Sequence, residues 1–88
     1  MTGSEVLTAA KAKIANPDNW IKGHFKRGNQ MCALYAILEV SELGSHERKA
    51  AFDALYCITH EALTQFNDTH SHTEVMAAFD AALKDTTP

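Results

Sequence analysis

The chain lacks any long apolar run. Its longest is Met31–Leu38, eight residues, against about 20 for a bilayer-spanning helix, so no segment is expected to cross a membrane. It begins Met1-Thr2-Gly3-Ser4-Glu5, without the basic stretch and apolar core of a secretory signal, and a cytoplasmic location is expected. Cysteine is scarce: Cys32 and Cys57 stand 25 positions apart and, without export, are expected as reduced thiols. With 4 Gly and 2 Pro there is too little of either for a linker-like or collagenous chain. No Gly-rich loop is available to cradle a phosphate. Period-two alternation is missing too, which argues against a sheet.

What is present is helical patterning in a chain of 88 residues, 45% hydrophobic and 22% charged. This length makes one domain, residues 1–88, which buries only about 60% of the surface its unfolded chain exposes. The expected architecture is all-α, a small bundle of about four helices with short connections and one aromatic-containing loop. Thr2 and Glu5 have the spacing of a capping box at the start of the first helix. Val6, Leu7, Ala10 and Ile14 give that helix its stripe, and Asn16-Pro17 stops it. The second helix, about Gln30–Glu42, is apolar nearly all round and is expected to be central. Gly44 suits a left-handed end for it, and Ser45 caps a third helix spanning about His46–Phe66. Ser71 with Glu74 forms another capping box for the last helix, whose buried face is Val75, Ala78, Phe79, Ala82 and Leu83. Residues 85–88 are expected to fray.

Charge is unevenly spread. From Lys11 to Arg27 the bases Lys11, Lys13, Lys22, Lys26 and Arg27 face only Asp18, while nine acids face three bases from Glu39 onward. The basic loop Lys22–Arg27, with Phe25 inside it, has the ingredients of a single-stranded nucleic-acid contact, but three positive charges are few and nucleic acid is not the expected partner. Trp20 reads as a core anchor more than as a ligand platform.

The richest stretch chemically is Phe66–Val75, which holds Asn67, Asp68, His70 and His72. His70 and His72 alternate, so in an extended segment they would point the same way and bind zinc with Asp68 as third ligand. The competing reading is a polar corner: Asn67 tolerates left-handed geometry, Asp68 bonds turn donors, and Ser71 caps the helix. On that reading Asn67 and Asp68 lock the angle between the last two helices. His60-Glu61 begins the zinc-protease pattern, but Thr64 stands where its second histidine belongs. If the chain folds as a hairpin at Gly44-Ser45, Cys32 and Cys57 come to the same height but on different faces. Cys57 then lies opposite the apolar stripe, with Asp53, His60, Glu61 and Thr64, and is the reactive-thiol candidate. No catalytic constellation is recognisable around either cysteine, and no enzyme activity is expected.

Trp20-Ile21-Lys22-Gly23, then Cys32-Ala33-Leu34-Tyr35-Ala36, then Phe66-Asn67-Asp68 leading to Val75 resemble a family of small uncharacterised actinobacterial and bacteriophage proteins, a domain of unknown function. That family's pattern is Trp-x-x-Gly, Cys-Ala-x-Gly-Ala and Trp-Asn-Asp; here Tyr35 replaces a glycine and Phe66 a tryptophan. The resemblance carries no activity. It implies that Trp20, Cys32, Asn67 and Asp68 are the positions that matter, with Trp20, Asn67 and Asp68 the candidate binding residues.

The functional expectation is a non-enzymatic helical interaction module, binding a protein partner or self-associating, with no cofactor. The alternative is a small-ligand or metal-binding protein using the Asp68–His72 corner.

Overall fold

The computed structural model describes residues 2–86. Five helices follow one another: α1 Gly3–Ile14, α2 Ala33–Val40, α3 His46–Thr59, α4 Leu63–Thr69 and α5 His72–Thr86, with a single 3-10 turn at Pro17–Asn19 and a minimal hairpin of β1 Lys26–Arg27 and β2 Gln30–Met31. The mainly helical class is as expected, but the helix count is one higher and a two-stranded ribbon is added.

α1 is the centre of the assembly, packing on α2, α3 and α5. Its stripe Val6, Leu7, Ala10 and Ile14 meets Ala36 and Ile37, Ala51 and Leu55, and Val75, Ala78, Phe79 and Ala82 in one continuous core. Phe79 and Leu55 are among its largest fully buried side chains. Burial of a large apolar side chain contributes about 1.5–3 kcal/mol each, so this layer supplies most of the stability. Gly3 allows α1 to reach α3: a Cβ there would stand 2.9 Å from Cβ of Ala50.

Helix starts are set locally. Thr2 accepts from the Glu5 amide while Glu5 reaches back to the Thr2 amide. Ser45 accepts from Arg48 N–H at the head of α3, and Ser71 and Glu74 exchange the same pair of bonds at the head of α5. These bonds hold the Glu5 and Glu74 carboxyls below their usual value of 4.5. The α2–α3 connection is tied by Arg48, whose guanidinium donates to the Leu38 and Ser41 carbonyls and to the Ser41 hydroxyl.

Several boundaries differ from expectation. α2 ends at Val40, so the left-handed Gly44 (φ +73°) shapes the turn before Ser45 rather than closing a helix. The expected long third helix is broken: α3 stops at Thr59, His60 turns left-handed at φ +57°, and α4 begins at Leu63. Thr59 Oγ1 donates to the Glu61 carbonyl and accepts from the Glu61 amide, a local bond of the kind that competes with helix continuation. The hairpin turns at Gly28-Asn29, where Gly28 supplies the positive φ (+63°) a two-residue loop requires. α5 continues through Thr86, beyond the expected start of fraying, and the rest of that tail, Thr87 and Pro88, lies outside the described residues.

Folding also cancels part of the charge asymmetry. Lys11 pairs with Asp80, and Lys13 and Lys26 approach Glu39 at 3.9 and 4.0 Å. These pairs are exposed and each is worth about 0–1 kcal/mol.

Candidate functional site

Asn67 is the one buried polar side chain among the described residues, with 0% exposure. It sits in the last turn of α4 facing the loop from Trp20 to Phe25. Its Oδ1 accepts from Trp20 Nε1–H at 2.6 Å and from Ala33 N–H at 3.0 Å. Its Nδ2 donates to the Ile21 carbonyl at 3.0 Å and to Asp68 Oδ1 at 3.3 Å. Two acceptor and two donor bonds are the full capacity of an amide side chain, and the partners fix which atom is oxygen. Ala33 N–H is one of the donors that the start of α2 leaves without an intrahelical partner. Asn67 therefore caps one helix from another while holding the loop between them.

Asp68 continues the clamp from the exposed side of α4. Its Oδ1 accepts from Gly23 N–H at 2.8 Å, where Gly23 is left-handed at φ +78°. Cys32 closes the third edge. It is the N-cap of α2, its sulfur accepting from Tyr35 N–H at 3.4 Å and its own amide donating to the Phe25 carbonyl at 3.0 Å. Burial pushes the Cys32 thiol up, which keeps it protonated near neutrality and weak as a nucleophile. Trp20, half-buried, packs edge-on against His72 at 5.5 Å, and Lys22 Nζ lies 5.7 Å from its ring centroid.

Trp20, Cys32, Asn67 and Asp68, singled out by the resemblance though spread over 49 positions of the chain, thus converge on one clamp. Asn67 and Asp68 were expected to fix the angle between the last two helices. Instead they lie inside α4 and fix the loop against α2; the left-handed residue expected at Asn67 is found at His60.

The two corner histidines each bond a backbone carbonyl. His72 Nε2 donates to the Ile14 carbonyl at 2.7 Å, satisfying the end of α1, which fixes its tautomer. His70 stacks on Phe66 at 3.9 Å and its Nδ1 bonds the Phe66 carbonyl at 3.0 Å. No group of three or more potential metal ligands gathers among the described residues. Asp68, His70 and His72, expected as zinc ligands, form no such group: His72 is tied to the end of α1 and His70 to Phe66 within α4.

Beside the clamp lies an open cavity of about 350 Å3, lined by Gly23, His24, Phe25, Cys32, Thr64 and Asp68. His24 and Phe25 belong to the expected basic loop and Thr64 to the face expected to carry Cys57, and nothing in their spacing brings them to Cys32. The local signal was Gly23, which allows the chain to turn back after Trp20. Phe25 remains 59% exposed at this cavity. Both cysteines are free, Cys32 buried and Cys57 exposed.

The family of unknown function DUF6197 matches residues 1–85. The chain belongs to that family. No curated protein and no solved structure matches it. Membership in the DUF6197 family supplies no reaction and no ligand. No helix of the described residues is long and apolar enough to cross a membrane.

Proposed function

We propose that this DUF6197 chain is a non-enzymatic helical interaction module, of bacterial or phage origin, that binds a protein partner through the loop Trp20–Arg27. One observation supports it above the others. The amide of Asn67, fully buried, spends three of its four hydrogen bonds on holding that loop and the start of α2, while Phe25 within the loop is left 59% exposed. A loop ordered in advance loses little conformational freedom on binding, and an exposed aromatic with Lys22, Lys26 and Arg27 around it has the composition of an interface anchor. The raised thiol of Cys32 and the carbonyl-bonded histidines fit a binding role better than a catalytic one. A photoreactive amino acid at position 25 of the full chain, irradiated in extract from the native host, tests this. Cross-links to polypeptide are expected; their absence, with the protein folded, overturns the reading.

The cavity supports a second reading, in which a small ligand sits against Asp68. Its roughly 350 Å3 falls at the low end of ligand pockets. On this reading Asp68→Ala abolishes a ligand-induced melting shift that the parent protein shows with members of a metabolite panel. A panel, zinc included, that shifts neither protein would remove it.

A further inference from the structure

We propose that the partner of the Phe25 loop is a second copy of this chain, docked reciprocally, with Phe25 of each protomer entering the groove at the α3–α4 break of the other. This rests on the interaction reading above and names its partner.

The helix break makes the groove. Where α3 stops at Thr59 and α4 restarts at Leu63, an open cavity of about 280 Å3 is left against α2. Leu34, Phe52, Tyr56 and Leu63 give it an apolar lining, and Asp53 and Glu61 add two carboxylates. Tyr56 is 59% exposed, aromatic surface that the fold itself leaves uncovered. The loop that would enter is its complement: Phe25 lies among Lys22, Lys26 and Arg27, and the segment Lys22–Arg27 contains no acid. Lys49 pairs with Asp53 at 2.6 Å and offsets part of the groove's charge, but Glu61 has no ion pair among the described residues. An aromatic at the centre with opposite charges at the rim is the usual anatomy of a protein interface.

Reciprocity follows from adjacency. Thr64 lines the cavity beside Phe25 and Leu63 lines the groove, so neighbouring residues of α4 carry the two halves of the contact. A two-fold axis near α4 lets both halves engage at once, the closed arrangement that self-complementary patches favour. Leu43 is more exposed still, at 91%, but it stands in the α2–α3 turn and lines neither cavity, which makes it the control.

Sedimentation equilibrium on the full chain tests the pairing. The parent is expected to dimerise reversibly, more weakly as salt rises and screens the rim charges. Phe25→Ala and Tyr56→Ala should each raise the dimer dissociation constant by at least about tenfold, the scale of an interface anchor. Both side chains are exposed, so the variants should keep their circular dichroism and melting temperature; Leu43→Ala should change neither fold nor dimer. An equimolar mixture of the two variants should associate better than either alone, because one complete Phe25–groove contact is restored and the losses are coupled. A parent that stays monomeric to millimolar concentration, or variants that dimerise as the parent does, would overturn the proposal. The position-25 cross-link separates the two levels: attachment to the groove of a second copy supports it, attachment only to another polypeptide overturns the second-copy assignment and leaves the interaction reading standing, and no attachment overturns both.

Discussion

Where α1 meets α3 and α5, the buried side chains are Val6, Leu7, Ala10, Ala51, Leu55, Val75 and Phe79; where the Trp20 loop meets α2 and α4, the buried centre is an amide. The first region is held by area removed from water, which is non-directional and tolerant of small shifts. The second is held by three hydrogen bonds between Asn67 and Trp20, Ile21 and Ala33, each demanding a donor and acceptor within a few tenths of an ångström. The contrast teaches a division of labour. The apolar layer supplies stability, while the polar clamp chooses one conformation for a loop that would otherwise have many.

The comparison can be broken first at the apolar layer. Phe79→Ala should cost about 3–5 kcal/mol from a total of roughly 5–15 kcal/mol for a domain of this kind, so the denaturant midpoint should fall by roughly a third or more. A cost below about 1 kcal/mol would show that the core does not centre there. Next comes the clamp. Asn67→Ala strands the Trp20 and Ala33 N–H groups and the Ile21 carbonyl, and should cost roughly 2–4 kcal/mol while Trp20 fluorescence shifts toward that of an exposed indole. Trp20→Phe sharpens this by removing a single donor, with an expected loss of about 1 kcal/mol. Equal effects of the two would mean that Asn67 does no more than pair with the indole.

Acid acts at the helix starts. Glu5 and Glu74 are held below their usual value of 4.5 by their capping bonds. Their stabilisation is therefore complete above that value and is lost as pH falls through the lowered one. Amide exchange in the first turns of α1 and α5 should accelerate in this acid window, and Glu74→Gln should flatten the response in α5 alone. The smallest effect on stability is chemical. Iodoacetamide at pH 8 should modify exposed Cys57 at least about tenfold faster than Cys32, whose thiol is buried and pushed up. Equal rates would mean that the Cys32 edge of the clamp opens readily.

The parts of this fold that were legible were those decided within a turn or two of chain. Thr2 with Glu5, Ser45, and Ser71 with Glu74 act over three residues, and all appear as read. The helical stripes are likewise a matter of spacing. The α3–α4 break escaped because Phe52, Leu55, Ala62 and Phe66 keep helical spacing across it, with no Pro or Gly to mark it; the only local sign was Thr59 folding onto Glu61. The hairpin was marked by Gly28-Asn29 but its strands of two residues are too short to show alternation. For the candidate site, the resemblance picked out residues that meet in the fold, and what it could not supply was the set of contacts that joins them.

By itself, then, the sequence determined the helical class, the starts of α1, α3 and α5, the apolar faces and the family, because periodicity and capping are short-range physics. Only the tertiary structure decided that Asn67 serves a loop 47 positions away rather than its own corner, that His70 and His72 are turned to carbonyls, and that Gly3 must lack a Cβ because Ala50 stands against it. Each of those depends on which surfaces meet once the core has formed, and the partners of a buried polar group are fixed by that meeting, not by its neighbours in the chain.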